Sequence, residues 1–313
     1  MTDVKFNRLA LIGIGLIGSS IARAVRKADL ASEIVCSART ADSRRVAMEL
    51  GIVDVAYETA EEAVKGADLV ILCTPVGTYE AIAKEIAPVL QEGAIVSDVG
   101  SVKSAVVKAI GPHMPDGVHF IAGHPVAGTE KSGPAAGFAE LFINRWCILT
   151  PTGDVDADAL EKLSAFWSAM GSKVDTMEPE HHDLVLAITS HIPHLIAYNI
   201  VGTADDLEDV TQSEVIKYSA GGFRDFTRIA ASDPTMWRDV FLHNKDAVLE
   251  MLGRFTEDLA QLQRAIRWED GDTLFKIFSR TRAIRRQIID AGQETPEPDF
   301  GRVHKADDKG GKA

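Results

Sequence analysis

Cysteine and positive charge are both scarce. Three cysteines in 313 residues, Cys36, Cys73 and Cys147, lie far apart in apolar surroundings and read as reduced, packed thiols with neither disulfide nor metal spacing. Lys and Arg number 33 against 46 Asp and Glu, a formal charge of -13 that would repel a phosphate backbone and argues against nonspecific nucleic-acid binding. A small anionic substrate would need a local cluster of cations. No apolar run looks close to the roughly 20 residues of a membrane span, so no membrane partner is expected. The amino end lacks a signal-peptide pattern, which makes a cytoplasmic protein the expectation. What is present, 46% hydrophobic and 25% charged residues, suits an ordinary globular protein long enough for two domains.

The first strong pattern is Arg8-Leu-Ala-Leu-Ile-Gly13-Ile-Gly15-Leu16-Ile17-Gly18, a short apolar strand running into G-x-G-x-x-G with an amphipathic helical pattern behind it. That is the setting a dinucleotide fingerprint requires. Gly13 permits the tight turn, Gly15 lets backbone approach a pyrophosphate, and Gly18 lets helix pack on strand. The alternative is a Gly-rich turn with no ligand. The next strand, Glu33-Ile-Val-Cys-Ser37, ends in Ala38-Arg39-Thr40, where an NAD enzyme commonly carries an acid for the ribose hydroxyls. Ala38 in place of that acid, with Arg39 beside it and Arg44 and Arg45 a helical turn on, tips the expectation towards NADP over NAD; a solvated arginine is the alternative.

Helix and strand then alternate. Ala41–Leu50 and Ala60–Lys65 read as helices, and Asp68–Cys73 as a buried parallel strand closed by Thr74 and Pro75 where the nicotinamide would lie. Thr78–Leu90 is a helix and Ala94–Asp98 the next strand, leaving through Val99-Gly-Ser101-Val-Lys103. Ser101 either caps the following helix or faces a ligand. After Val118–Ala122 comes Gly123-His124-Pro125-Val-Ala-Gly128-Thr129-Glu130-Lys131-Ser132-Gly133, expected to be a loop at a strand's carboxyl end and either a polar turn or a site. Arg145–Thr150 and Lys173–Met177 are further strands, with a helix over Val155–Met170 between them.

From Glu178 helical periodicity dominates. The runs Leu184–Val201, Met236–Ile266 and Thr273–Ile289 imply long helices with more apolar surface than one small bundle covers, so a homodimer is inferred, with a compact monomeric bundle as the alternative. The organisation is thus α/β: a doubly wound dinucleotide-binding domain over residues 1–177, a helical substrate and dimerisation domain over 178–292, and a disordered tail over 293–313. Two stretches are odd for a core. In His181-His182-Asp183…Ser190-His191-Ile-Pro193-His194, Pro193 interrupts the helix and Ser190 lies four residues before His194; the histidine spacing is a poor metal site. In Gly221-Gly222-Phe223-Arg224-Asp225-Phe226-Thr227-Arg228, charge is concentrated in a turn between helices, which an Arg–Asp staple would also explain. Asp233-Pro234 reads as a capped helix start.

Taken in order, the Gly13–Gly18 motif, Asp98–Lys103, Gly123–Gly133, Ser190–His194 and Gly221–Trp237 resemble the prephenate/arogenate (cyclohexadienyl) dehydrogenase family of tyrosine biosynthesis. The resemblance implies oxidative decarboxylation of prephenate or arogenate with hydride passing to NAD(P)+. It makes His124 the base at the substrate hydroxyl, helped by Ser101, with an imidazole near its ordinary pKa of about 6.5. It gives carboxylate binding to Arg228 and His194, with Ser190 positioning His194 or the nicotinamide. Thr129, Glu130, Asp225 and Trp237 become supporting substrate-site residues. Gly13, Gly15, Leu16, Ile17, Gly18, Ser37, Arg39, Thr40, Thr74 and Pro75 surround the cofactor, and no metal is called for. No chorismate mutase or regulatory segment stands out, so inhibition by tyrosine would act at the active site. The rivals are a 3-hydroxyacid or 6-phosphogluconate type of dehydrogenase and a dinucleotide sensor without catalysis.

Overall fold

The computed structural model describes residues 4–129, 131–153, 155–206 and 220–290; Glu130, Ser219 and the tail over 293–313 lie outside them. The chain divides into two compact units, Met1–Met251 and Leu252–Ala313.

The first unit is organised by a six-stranded sheet in the order β3-β2-β1-β4-β5-β6, all parallel: β1 (Phe6–Ile12), β2 (Ala31–Ser37), β3 (Val55–Tyr57), β4 (Leu69–Leu72), β5 (Ile95–Asp98) and β6 (His119–Phe120). Its strands are buried on both faces, which is why they read as near-continuous apolar runs. Phe6, Leu9 and Leu11 point into one core with Ile21, Phe142, Phe166 and Trp167, while Ala10 and Ile12 point into the other with Tyr79, Val106 and Trp237. Helices α1 (Leu16–Ala28), α2 (Ala41–Glu49), α3 (Ala60–Val64), α4 (Tyr79–Ile86) and α5 (Ser104–Ile110) connect the strands. The order reverses between β1 and β4, so the crevice at their carboxyl ends is where a ligand fits this topology. The short strand β3 has no clear signal in the sequence.

The chain then departs from the simple doubly wound plan. Ala122–Pro125 is a strand, β7, and not part of a loop: it pairs antiparallel with β8 (Trp146–Thr150), His124 opposite Ile148, and β8 pairs parallel with β9 (Lys173–Thr176). His124 therefore belongs to a second, three-stranded sheet, and only the residues after Pro125 form the expected loop. Helix α6 (Ala157–Ala169) crosses between β8 and β9.

From Pro179 helices follow: α7 (Pro179–Leu186), a wide π turn over Ala187–His191, α8 (Ile192–Asp205), α9 (Gly221–Thr227) and α10 (Pro234–His243). The π turn sits just ahead of Pro193, which cannot donate to the preceding turn. The run Pro179–Asp205 contains an 18-residue window of mean hydropathy 1.5, long and apolar enough by composition to span a bilayer, which corrects the expectation that no such run exists. Within it His182, Asp183 and His191 are buried. Asp233 caps α10 by accepting from the Met236 amide at 2.9 Å. The long run expected over Met236–Ile266 is broken at Asn244, after which α11 (Lys245–Arg267) begins in the first unit and ends in the second. In the second unit the rest of α11, the turn after it and α12 (Gly271–Asp290) expose Leu259, Ile266, Trp268, Phe275 and Phe278, an apolar surface larger than a solvated helix face needs.

Candidate active site

The turn between β1 and α1 explains two of its glycines from within. Gly13 has φ +102°, and a Cβ there would lie 2.9 Å from the Cys73 carbonyl and from Thr74 Cγ2; a Cβ on Gly18 would lie 2.3 Å from the Gly13 oxygen. At Gly15 a Cβ would meet nothing within 4 Å. The protein itself does not require that glycine, so the demand for a bare backbone comes from outside it. Helix α1 starts at Gly15 with no side-chain cap and no acid in its first turn, which leaves the amides of Leu16, Ile17 and Gly18 to an anion. The residues fit a dinucleotide pyrophosphate.

At the end of β2, Ser37 is buried, its carbonyl accepting from the Gly13 amide at 2.9 Å, and Thr40 caps α2 by accepting from the Ser43 amide at 3.2 Å. Arg44 donates to the Ala38 carbonyl at 2.6 Å, and Arg45 pairs with Asp42 and Glu49. Of the three arginines only Arg39, exposed, has no such partner among the described residues. Past β4, Thr74 and Thr78 share a hydroxyl–hydroxyl bond at 2.8 Å, and Thr78 donates to the Pro75 carbonyl at 2.7 Å.

His124 is held by its neighbour's peptide. Asp98, at the end of β5, accepts from the Gly123 amide through Oδ1 at 3.0 Å; Lys103 Nζ donates to the Gly123 carbonyl at 2.6 Å; and Lys103 and Asp98 pair with each other, both wholly buried. Burial lowers the Lys103 ammonium and raises the Asp98 carboxyl, and their mutual attraction opposes both shifts. A Cβ on Gly123 would come within 3.2 Å of the Asp98 carbonyl, Leu149 and Ser97, so this peptide is also closely packed. The imidazole of His124 is buried. Burial first, then His182, Lys103 and His191, push its pKa well below 6.5. The expectation of an ordinary imidazole is corrected: the ring is neutral, and in this dry, cation-flanked site it holds a proton weakly.

The ring bond of His124 does not go to Ser101. Its Nδ1 lies 2.8 Å from His182 Nε2, and His182 Nδ1 lies 2.9 Å from Asp183 Oδ1. Asp183 also accepts from the Lys103 amide at 2.7 Å and the Ser104 amide at 2.9 Å. Asp183 thus serves the first turn of α5, where a cap from Ser101 was one of the two readings of that residue. Ser101 is half-buried, and the imidazole of His191 lies against its backbone. His191 in turn accepts from the Asn244 amide at 3.1 Å, and the same amide group donates to the Asp183 carbonyl at 2.8 Å.

On the helical side, His194 stacks on Trp237 with ring centroids 3.7 Å apart and donates from Nδ1 to the carbonyl of Ser190 at 2.9 Å. Ser190 therefore orients His194 through its backbone, where side chains on a shared face were expected. Burial lowers His194, and the charge of Arg228 lowers it further, which brings those two residues into one neighbourhood. Asp225 pairs with Arg224 at 3.2 Å, both exposed on α9. Thr129 accepts from the Lys131 amide at 3.2 Å in the loop after β7.

His182, Asp183, Asp98, Lys103 and Asn244 were not singled out for roles from the sequence. The signal was a cluster of polar types, His181-His182-Asp183, in an otherwise apolar run. Their partners, 58 residues away for His182 and 80 for Asp183, are set by the fold.

Residues 21–176 match the family described as prephenate dehydrogenase, nucleotide-binding domain, and residues 178–280 that described as prephenate dehydrogenase, dimerization domain. The cyclohexadienyl dehydrogenase of Zymomonas mobilis is 41% identical over 282 residues, 90% of this chain and 95% of that one. The prephenate dehydrogenase of Bacillus subtilis is 35% identical over 286 residues, 91% of this chain and 76% of that one. Among solved structures, the prephenate dehydrogenase of A. aeolicus in complex with hydroxyphenyl propionate and NAD+ superposes with a TM-score of 0.83 at 35% identity, over 90% of this chain and 98% of that one.

Proposed function

Because the chain belongs to the prephenate dehydrogenase family, we propose that it oxidatively decarboxylates prephenate, arogenate or both, to 4-hydroxyphenylpyruvate or tyrosine. The observation that carries this reading is the buried, uncharged imidazole of His124, whose Nε2 has no partner among the described residues. His124 Nε2 takes the proton of the C4 hydroxyl as hydride leaves C4. The ring carboxylate departs as CO2, its bonding electrons complete the aromatic ring, and the phenolate oxygen so formed takes the proton back from His124 Nε2. A bound nicotinamide dinucleotide supplies the hydride acceptor. A base so placed contributes on the order of 10²–10⁴-fold.

Arg228 and His194 bind the substrate's carboxylates. Without a ligand His194 is neutral, with its proton on Nδ1; a carboxylate beside Nε2 would draw a second proton to that atom. Trp237 fixes the plane of that ring, Ser101 lies against His191 at the edge of the base cluster, and Thr129 lies in the loop beyond β7, with Glu130 and Asp225 as further supporting residues of the substrate site. Leu16 and Ile17, with the three glycines, would hold the pyrophosphate of a bound dinucleotide, and Thr74 and Pro75 would lie on its nicotinamide side. At the ribose, Ala38 in place of an acid and Arg39, without a partner among the described residues, favour NADP over NAD. The exposed apolar face of the helices from Leu252 onward supports a homodimer. One assay tests the core of this: prephenate or arogenate with NAD+ or NADP+, read by absorbance of the reduced cofactor. Turnover in at least one pair is expected, and silence in all four would overturn the proposal.

A further inference from the structure

Only one assignment of protons fits the line His124–His182–Asp183. Asp183 accepts two backbone amides besides the His182 ring. Burial would raise its carboxyl, but the bonds from His182, Lys103 and Ser104 outweigh that and hold it below the usual carboxylate range, so it is ionised. An ionised carboxylate only accepts, so the 2.9 Å bond requires a proton on His182 Nδ1. His182 is neutral, because burial and the nearby Lys103 outweigh the help of Asp183 and Asp98. Its Nε2 is then a lone pair, and the 2.8 Å separation from His124 Nδ1 is a hydrogen bond only if His124 carries its proton there. That leaves Nε2 of His124 bare.

We infer that His182 and Asp183 are positioning residues that lock the tautomer of His124, holding its resting proton on Nδ1 so that Nε2 is the basic atom. The inference rests on the reading of His124 as the base. His182 touches the base and not the substrate. When Nε2 takes the hydroxyl proton, the Nδ1 proton stays where it is, bonded to His182, and the new positive charge lies in line with the Asp183 carboxylate. No other proton moves. The charged and titratable groups facing the pair are Lys103 and Asp98 from the β5–α5 side and His191 from the π turn. The cation among them, Lys103, disfavours an imidazolium at His124, which is why a carboxylate in line behind it matters. A histidine base in the wrong tautomer is known to be crippled even when its geometry is intact.

Two substitutions in the full chain separate a lock from mere packing. His182→Gln puts an amide oxygen where Nε2 stood and can still accept from His124 Nδ1; His182→Leu fills the space and cannot. The expected result is a fall in kcat on the order of 10²-fold for His182→Leu, with KM and dinucleotide affinity near wild type, and recovery of most of that loss in His182→Gln. Nitrogen NMR on histidine-labelled wild type should show His124 protonated at Nδ1 and bare at Nε2, with the two tautomers mixed in His182→Leu. Equal kcat in wild type and His182→Leu, no advantage of Gln over Leu, or a resting proton on Nε2 would each overturn the lock. A wild type that turns over none of the four substrate–cofactor pairs would instead remove the proposed function, while the NMR result would still decide the tautomer.

Discussion

The turn from Gly13 to Gly18 is made of backbone, whereas the cluster around His124 is made of side chains. In the turn, two glycines answer to contacts inside the protein and the third leaves room for something outside it. In the cluster, Asp98, Lys103, His182 and Asp183 are buried and tied to one another or to main chain. The first arrangement fails by steric overlap and is indifferent to pH. The second fails when one charge or proton is misplaced, because a buried charge without its partner has no water to fall back on.

Removing one of those charges should have the largest effect. Lys103→Met leaves Asp98 buried without its cation and is expected to cost about 3–5 kcal/mol in denaturant unfolding, with much of the loss recovered when Asp98→Asn is added. A loss below about 1 kcal/mol would mean that the cluster tolerates misplaced charge as an exposed pair does.

Next comes the chemistry. His124→Asn should lower kcat by at least ~10²-fold while dinucleotide affinity stays put, since the turn that holds the dinucleotide is a separate construction. Loss of affinity along with rate would show the two regions to be one.

The pH dependence of stability distinguishes them again. Burial lowers His191 from 6.5 to about 4, so the unfolded chain binds that proton first as pH falls. Stability is therefore fully present above 6.5 and is lost between 6.5 and 4, by about 3 kcal/mol from this group. Unfolding free energies measured across that window should slope upward with pH, less steeply in His191→Asn; an unchanged slope in the variant would remove His191 as the cause. The smallest effect belongs to the turn's neighbourhood. Ala38→Asp should shift the NADP+/NAD+ preference towards NAD+ by roughly tenfold, about 1.4 kcal/mol, and a ratio that does not move would set the second strand's end aside as a determinant.

What could be read along the chain was local. Strand, glycines and helix from Arg8 onward, and the Asp233–Pro234 start of α10, depend on neighbours within a few positions. His124 was recognisable by type but expected in a loop. Ala-Gly-His-Pro is a poor strand by propensity and becomes one only because β8 pairs with it. The expected helix over Met236–Ile266 breaks at Asn244 for a similar reason: that side chain is used by the Asp183 carbonyl and by His191, 61 and 53 positions earlier. Likewise the histidines at 182 and 191 could be weighed only as metal ligands, because spacing along a helix says nothing about partners 58 and 53 positions away.

The π turn at Ala187–His191 places one extra residue in a helix that otherwise runs from Pro179 to Asp205. Each residue of an α-helix turns the chain by about 100°, so a single-residue deletion there would rotate everything beyond it by that angle. His194 would swing off the face of Trp237, and Pro193 would move with it. The reading frame of this helix is therefore a functional quantity: a one-codon loss would leave a helix whose two halves face different ways.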